Sequence, residues 1–249
     1  MKIFETLENT RIAKGSGALA LIDPDLKNDG LLIDITASIV DADFDAILVG
    51  GSLIMDNGFE DRISHIRELT SLPIIIFPGS SRQLSGKADA VLFLSLHSGR
   101  NPQYLIGEHV ESAPVIRNLG IEAIPTSYLL IDGGVKSSVQ VMSNTTPLPP
   151  DKHDIILAHA LAGQYMGSKF VFFEAGSGAK ESIPIKLLDY VCQNLKIPVI
   201  VGGGVRDEHT AAKMVSAGAG YVVIGNFLEK CKDQSVLNSI VRAIHYQEN

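Results

Sequence analysis

Residues 169–178 read KFVFFEAGSG and residues 198–205 read PVIVGGGV. Each is a short run of β-branched, aliphatic and aromatic side chains that opens into glycine, and a longer stretch of helical character follows. Six more runs share this form: ALALID (18–23), AILVGG (46–51), PIIIFPG (73–79), AVLFLS (90–95), SYLLIDG (127–133) and YVVIGNF (221–227). They are continuous rather than alternating in polarity, as parallel strands covered on both faces must be. Eight such strands predict an α/β fold, a (β/α)8 barrel in which residues 1–249 form a single domain. A doubly wound open sheet competes with it, but no Gly-x-Gly-x-x-Gly turn follows the first strand.

Between the runs, residues 60–70 and 207–217 have helical spacing, with Asp207 placed to cap and Gly218 to terminate. Residues 79–89 are polar and short of apolar anchors, so no full helix is expected there. Residues 135–151 carry three prolines among Ser, Asn and Thr and are expected to form a loop over one mouth of the barrel.

With 45% hydrophobic and 20% charged residues, the chain has the composition of a packed globular core. Acidic side chains outnumber basic ones, 28 to 21, for a net charge of -7. A general nucleic-acid surface is therefore not expected, and any anion site has to be local. Cys192 and Cys231 are too few for a disulfide framework or a zinc cluster. The opening residues lack the apolar run of a secretory signal, and no stretch reaches the roughly 18 apolar residues of a membrane span, so a cytoplasmic protein is expected.

In such a barrel the C-terminal strand ends share one face, and the chemistry-bearing residues gather there. Asp23, with Asp25 close behind, ends the first run, and Gly50, Gly51 and Ser52 end the second. A carboxylate and a hydroxyl suit a hard cation such as Mg2+, although paired carboxylates also occur at barrel rims without metal. Glycines end three late strands: Gly176 and Gly178, then Gly202, Gly203 and Gly204, then Gly225 beside Asn226. Exposed backbone N–H groups at such turns cradle a phosphate monoester. Glu174 closes an apolar strand, where desolvation raises a carboxyl pKa toward neutrality and makes it a candidate acid or base; the plainer reading is a hydrogen bond to a neighbouring loop. Arg100 and Asn101 are candidates for a second anionic group, and with Asp25 they are assigned to a diphosphate. The histidines suggest no metal pair.

Taken together and in order, LIDPD (21–25), VGGS (49–52), SLHSGRNPQYLIG (95–107), SYLLIDGG (127–134), SVQVMSN (138–144), FFEAGSG (172–178), VGGGVRD (201–207) and VVIGN (222–226) resemble the geranylgeranylglyceryl phosphate synthase family, which includes the bacterial heptaprenylglyceryl phosphate synthases. The resemblance implies a modified TIM barrel that transfers a long prenyl group, geranylgeranyl above all, from its diphosphate to the 3-hydroxyl of sn-glycerol 1-phosphate with the help of Mg2+. By family position, Asp23 and Ser52 would hold the metal. Phe172, Phe173, Glu174, Ala175, Gly176, Ser177, Gly178, Gly203, Gly204, Gly225 and Asn226 would surround glycerol phosphate. Phe172 stands where the family usually has Tyr. Leu21 stands where the smaller group of the family has Lys, which leaves Lys180 or Arg206 to meet phosphate charge. A homo-oligomer and transient membrane contact are also implied.

The reaction needs an apolar groove for the prenyl tail, because burying it releases about 25 cal/mol per Å2; Phe77, Phe93, Tyr104 and Leu105 are candidates to line it. A sugar-phosphate isomerase or aldolase on the same glycine framework is one alternative, and a non-catalytic barrel that binds a phosphometabolite or scaffolds an oligomer is another. The first would need no groove, and an aldolase of the Schiff-base type would need a lysine at a strand end, which this sequence lacks.

Overall fold

The computed structural model describes residues 2–231 and 233–245. Eight parallel strands close into a barrel in sequence order: β1 (Gly17–Ile22), β2 (Ala46–Val49), β3 (Ile74–Ile76), β4 (Ala90–Leu96), β5 (Glu122–Leu130), β6 (Phe170–Glu174), β7 (Val199–Gly202) and β8 (Tyr221–Ile224). Closure is made by β8 on β1, with Gly17 beside Tyr221 and Ala20 beside Ile224. Seven of the eight strands end before their apolar runs do, β4 being the exception. Most of the glycines and polar residues that close each run therefore lie in the loops.

Strand parity builds two layers of core. Leu19, Leu48, Ile75, Leu92, Phe170, Ile200 and Tyr221 fill the barrel. Their neighbours Ala20, Ile47, Ile76, Val171, Val201 and Val222 face the helices. Helices α2 (Leu32–Asp41), α3 (Phe59–Leu69), α4 (Glu108–Leu119), α6 (His153–Tyr165), α7 (Ile185–Cys192), α8 (Glu208–Ser216) and α10 (Gln234–His245) form the outer shell. Short segments decorate the mouth: a 3-10 turn (Leu26–Leu31), a π-helical turn (Gln103–Gly107), α5 (Ser138–Ser143) and α9 (Asn226–Lys230). Asp207 caps α8 by accepting from the Thr210 N–H at 2.8 Å, and Gly218 follows the helix at φ +95°, as the sequence predicts. The loop expected over residues 135–151 contains α5, whose start is capped by Ser137. No helix of the described residues is long and apolar enough to cross a membrane.

Two departures from a regular barrel matter. No helix intervenes between β3 and β4, where residues 79–89 offer too few apolar positions to cover the sheet. An added helix, α1 (Ile3–Lys14), precedes β1 and was not foreseen. It stoppers the N-terminal end: Leu7 joins the interior cluster, Phe4 packs on Phe170 with ring centroids 5.2 Å apart, and the Tyr221 hydroxyl donates to Glu8 at 2.7 Å. The barrel thus opens for ligands at its other end. Leu7→Ala is expected to cost about 3 kcal/mol of unfolding free energy, as a deleted core leucine does, and Leu7→Met under about 1.5 kcal/mol. Urea titration followed by circular dichroism reads both, and an alanine variant as stable as the parent would mean that α1 contributes nothing to the floor.

Candidate active site

The C-terminal strand ends surround a cavity of about 710 Å3, within the roughly 300–1,000 Å3 usual for small-molecule sites. Asp23, Asp25, Gly50, Gly51, Ser52, Glu174, Gly176, Ser177, Gly178, Gly203, Gly204, Gly225 and Asn226 all line it. Asp23, Ser52 and Glu174 therefore open on the same pole, as the sequence reading requires.

Parity sets the place of Glu174. Phe170 and Phe172 point into the barrel, so two residues further along β6 the glutamate does too. It is only 8% exposed. The β7 backbone passes so close that a Cβ on Gly202 would lie 2.7 Å from Oε2, and one on Gly203 would lie 2.8 Å from Oε1. Only glycine fits beside this carboxyl, and Gly203 also adopts φ +88°, which side chains disfavour. Burial pushes the Glu174 pKa up to about 7, against the pull of the Gly176 N–H, which donates to Oε1 at 2.8 Å. A carboxyl so placed exchanges protons near neutral pH. Tyr128 on β5 lines the cavity as well. Burial and the nearby Glu174 charge push its pKa well up, so the phenol keeps its proton.

Next to Glu174 lies the glycine end. The Asn226 side chain donates to Ser177 Oγ at 2.9 Å, joining the turns after β6 and β8. Arg206 and Lys230 supply positive charge to this part of the lining. Arg206 is steadied by donating to the Ala179 carbonyl at 2.8 Å. Of the two cations considered for the place of Leu21, Arg206 reaches the cavity and Lys180 does not. Leu21 itself lines it.

At the opposite side the Asp23 carboxylate lies over Gly51, where an added Cβ would be 2.8 Å from Oδ1. Asn28 steadies this exit by donating to the Asp23 carbonyl at 2.8 Å and to Glu229 Oε1 at 3.1 Å. Gln83, buried in the segment that replaces a helix, donates to the Gly51 carbonyl at 2.7 Å and accepts from the Gly79 N–H at 3.1 Å. Among the described residues no three His, Cys, Asp or Glu side chains converge as a metal-binding group. One carboxylate, one hydroxyl and open backbone suit a cation that keeps its waters and takes its remaining ligands from phosphate oxygens.

From this mouth an apolar arm runs between β4 and α4, past Leu84, Val91, Phe93, His109, Ser112 and Ile116. It occupies the side that a helix after β3 would cover. Of the four residues considered for the groove, Phe77, Phe93 and Tyr104 line the cavity. Leu105 does not. His109 sets its ring edge-on to Phe93 at 4.6 Å and its Nε2 lies 2.9 Å from Ser95 Oγ. Burial lowers its pKa and keeps the ring uncharged at neutral pH.

Five residues assigned to ligand contacts lie off the cavity. Phe172 is fully buried, stacked on Phe77 at 5.0 Å and against Tyr128 at 5.5 Å. Phe173 and Ala175 have the opposite parity and face the helices. The Arg100 guanidinium is taken by the carbonyls of Gly99 at 2.7 Å and His97 at 3.3 Å and by the His159 ring at 3.2 Å. Asn101 donates to the Ser143 carbonyl at 2.9 Å, tying the π-helical turn to α5. Sequence reading missed Tyr128, Gln83, Lys230 and the α5 side chains Val139 and Met142. Only Tyr128 carried a signal, being inward by parity on a run already recognised.

The model of the PcrB family matches residues 10–244. The geranylgeranylglyceryl phosphate synthase of Chitinophaga pinensis is 44% identical over 94% of this chain and 93% of its own. That of Flavobacterium johnsoniae is 45% identical over 84% of this chain and 86% of its own. The crystal structure of (S)-3-O-geranylgeranylglyceryl phosphate synthase from Thermoplasma acidophilum, in complex with its substrate sn-glycerol-1-phosphate, superposes with a TM-score of 0.92 at 36% identity, covering 98% of this chain and 99% of that one. With a family model matched over nearly its whole length and relatives this close, the chain belongs to the PcrB family, alongside these geranylgeranylglyceryl phosphate synthases.

Proposed function

We propose that this chain is a prenyltransferase that joins a long prenyl group to the 3-hydroxyl of sn-glycerol 1-phosphate, forming an ether and releasing diphosphate. The observation that carries this reading is the continuity of the cavity. Asp23 and Ser52, the buried Glu174 carboxyl and the glycine-lined strand ends share one mouth, and an apolar arm leads from it. An isomerase or aldolase acting on a small sugar phosphate has no use for that arm.

Glycerol phosphate is placed at the glycine end, its phosphate against the backbone of Gly176, Gly178, Gly203, Gly204 and Gly225, with Ser177, Asn226 and Arg206 around it. Holding the phosphate there turns the glycerol hydroxyl toward Glu174 and converts a chance encounter into an oriented attack. The hydroxyl oxygen attacks the allylic carbon, the carbon–oxygen bond to diphosphate breaks, and Glu174 receives the hydroxyl proton. Asp23 and Ser52 would hold Mg2+, whose contribution when bound is to stabilise the negative charge on the departing diphosphate. Asp25 lines the same cavity and would join the diphosphate corner, whereas Arg100 and Asn101 serve the loop framework. The prenyl tail lies along Phe77, Leu84, Phe93 and Ile116. Exposed Leu26, Leu53, Met55 and Val141 on the mouth loops are what a lipid-tailed substrate meets on entry or a product on leaving, which supports brief contact with a lipid surface.

Incubating the protein with radiolabelled sn-glycerol 1-phosphate and a ladder of prenyl diphosphates, then counting the lipid-soluble product, tests the reaction itself. No labelled lipid with any chain length would remove the proposal.

Glu174→Gln is expected to lower kcat/KM by about 10³-fold, within the range for a lost general base, while sn-glycerol 1-phosphate still binds. For the parent, kcat/KM should rise with pH through a step near 7, as the carboxyl loses its proton. Stability runs the other way. The carboxyl is held above its unfolded value, so the folded state keeps a proton that the unfolded chain releases, and stability falls between about pH 4.5 and 7. The glutamine variant should therefore gain melting temperature at pH 8 relative to the parent, and more than at pH 4; the reverse order would contradict the buried-carboxyl account.

Treatment with EDTA should stop turnover and Mg2+ should restore it, with calorimetric affinity for sn-glycerol 1-phosphate unaffected. Full turnover without any divalent cation would end the role given to Asp23 and Ser52. In the arm, Ser112→Phe fills space between α4 and β4 and is expected to reject the longest prenyl diphosphates that the parent accepts while retaining shorter ones. An unchanged chain-length profile would place the tail elsewhere.

A further inference from the structure

We propose that Arg62 is a positioning residue that fixes the β1 loop against the β2 loop, and thereby sets how tightly the mouth binds a cation-bound diphosphate. The inference rests on the reading of Asp23 and Ser52 as the cation corner. Arg62 stands in the first turn of α3, is buried, and does not line the cavity.

A guanidinium carries five N–H groups in one rigid plane, and here every one has an acceptor. Nη1 and Nη2 grip the two oxygens of Asp56, each at 2.7 Å. Nε and Nη2 grip the two oxygens of Asp29, the second at 3.1 Å. The remaining Nη1 proton goes to the Pro24 carbonyl at 3.0 Å. Pro24 adjoins Asp23, and Asp29 lies in the 3-10 turn that continues the same loop. Asp56 lies four residues beyond Ser52, in the β2 loop, and is braced within it by the Gly58 N–H at 2.9 Å. One planar group thus fastens the segment leaving Asp23 to the segment leaving Ser52.

Two further details fit a fastening made for this purpose. A side chain at Gly58 would put its Cβ 2.9 Å from the Arg62 Cζ, so the β2 loop is shaped to let the guanidinium lie against it. On the far side of the β2 loop, Gln83 holds Gly51. A carboxylate and a hydroxyl on two separate loops do not by themselves form a site for a cation; their separation has to be held, and the side chains that hold first contacts in place govern affinity almost as strongly as the contacts do. Arg62 joins these two loops directly while staying clear of the ligand space.

The test uses full-length parent, Arg62→Lys and Asp56→Asn proteins, each first shown to be folded by thermal unfolding. Asp56→Asn preserves size and one acceptor, and remains informative if Arg62→Lys fails to fold. Isothermal calorimetry then measures inorganic diphosphate in the presence of Mg2+ and, separately, sn-glycerol 1-phosphate. Diphosphate affinity is expected to fall about ten-fold in the variants, with glycerol phosphate affinity within about two-fold of the parent, the size of effect seen when a metal ligand loses its support. In turnover, KM for the prenyl diphosphate and the half-saturating Mg2+ concentration should rise together while KM for glycerol phosphate stays. Unchanged diphosphate affinity in a folded variant overturns the positioning role, and so does an equal loss for both ligands, which is what general loosening of the mouth produces. A parent protein that binds no diphosphate with Mg2+ fails differently: it removes the cation corner itself, and the inference falls with it.

Discussion

Glu174 is drawn two ways. Burial in the barrel favours its neutral form, and the Gly176 N–H favours its charged form, and the mouth is built around that opposition. The β7 exit has to be side-chain-free because the carboxyl occupies the space a Cβ would take at Gly202 and Gly203. The turn at Gly176 has to come immediately, because its N–H is the donor that steadies the carboxyl. Tyr128 packs nearby without a charge of its own. A carboxyl in bulk water would be ionised at neutral pH and a weak base; one with no donor at all would stay protonated. The arrangement lies between these, and the carboxyl exchanges its proton near neutral pH.

The fold was legible because parallel barrel strands leave a signature that survives without an alignment: eight continuous apolar runs, each ending in glycine or a short polar residue. The shared pole followed from that fold, since every C-terminal strand end faces the same way. What stayed hidden has specific physical causes. A run of apolar letters does not reveal which residues face inward until the strand's first paired residue is known. Phe173 and Ala175, which the family's positions group with Glu174, alternate to the helix side. Arg100 carries the charge a diphosphate site would want, but three acceptors close by in space engage it, and one of them, the His159 ring, becomes a neighbour only through the fold. The α1 floor plug has almost no amphipathic contrast to mark it, and its apolar contacts lie on strands far along the chain.

The absent helix between β3 and β4 links fold to specificity. A regular barrel would cover the outer face of β4 with a helix, and Val91 and Phe93 would then be ordinary packing residues. Here the polar segment 79–89 leaves that face open to the cavity. Its side chains turn inward for a different purpose, as Gln83 does in bracing the β2 loop. The weakness of this segment as a helix former is thus the reason an apolar arm opens beside the mouth. The same loss of covering surface is made tolerable because the arm remains lined by α4 residues and shielded by the turn carrying Tyr104, whose hydroxyl donates to the Met142 carbonyl at 3.2 Å.

Phe172 shows how one substitution is absorbed by such a framework. The resemblance places a tyrosine at this position, and a phenol there would need a polar partner. In this chain the ring packs with Phe77 and Tyr128 in a cluster of three, nearly parallel to the first at 10°, and is fully buried. Phenylalanine is the residue such a cluster prefers, since a buried hydroxyl without a partner costs more than its packing returns. The polar group has not left the neighbourhood, however. Tyr128 is one strand away, contacts the same ring, and lines the cavity beside Glu174. Tyr128 and Phe172 are paired in register, so the aromatic cluster keeps one phenol, on the inner face of β5, where the resemblance would place a second.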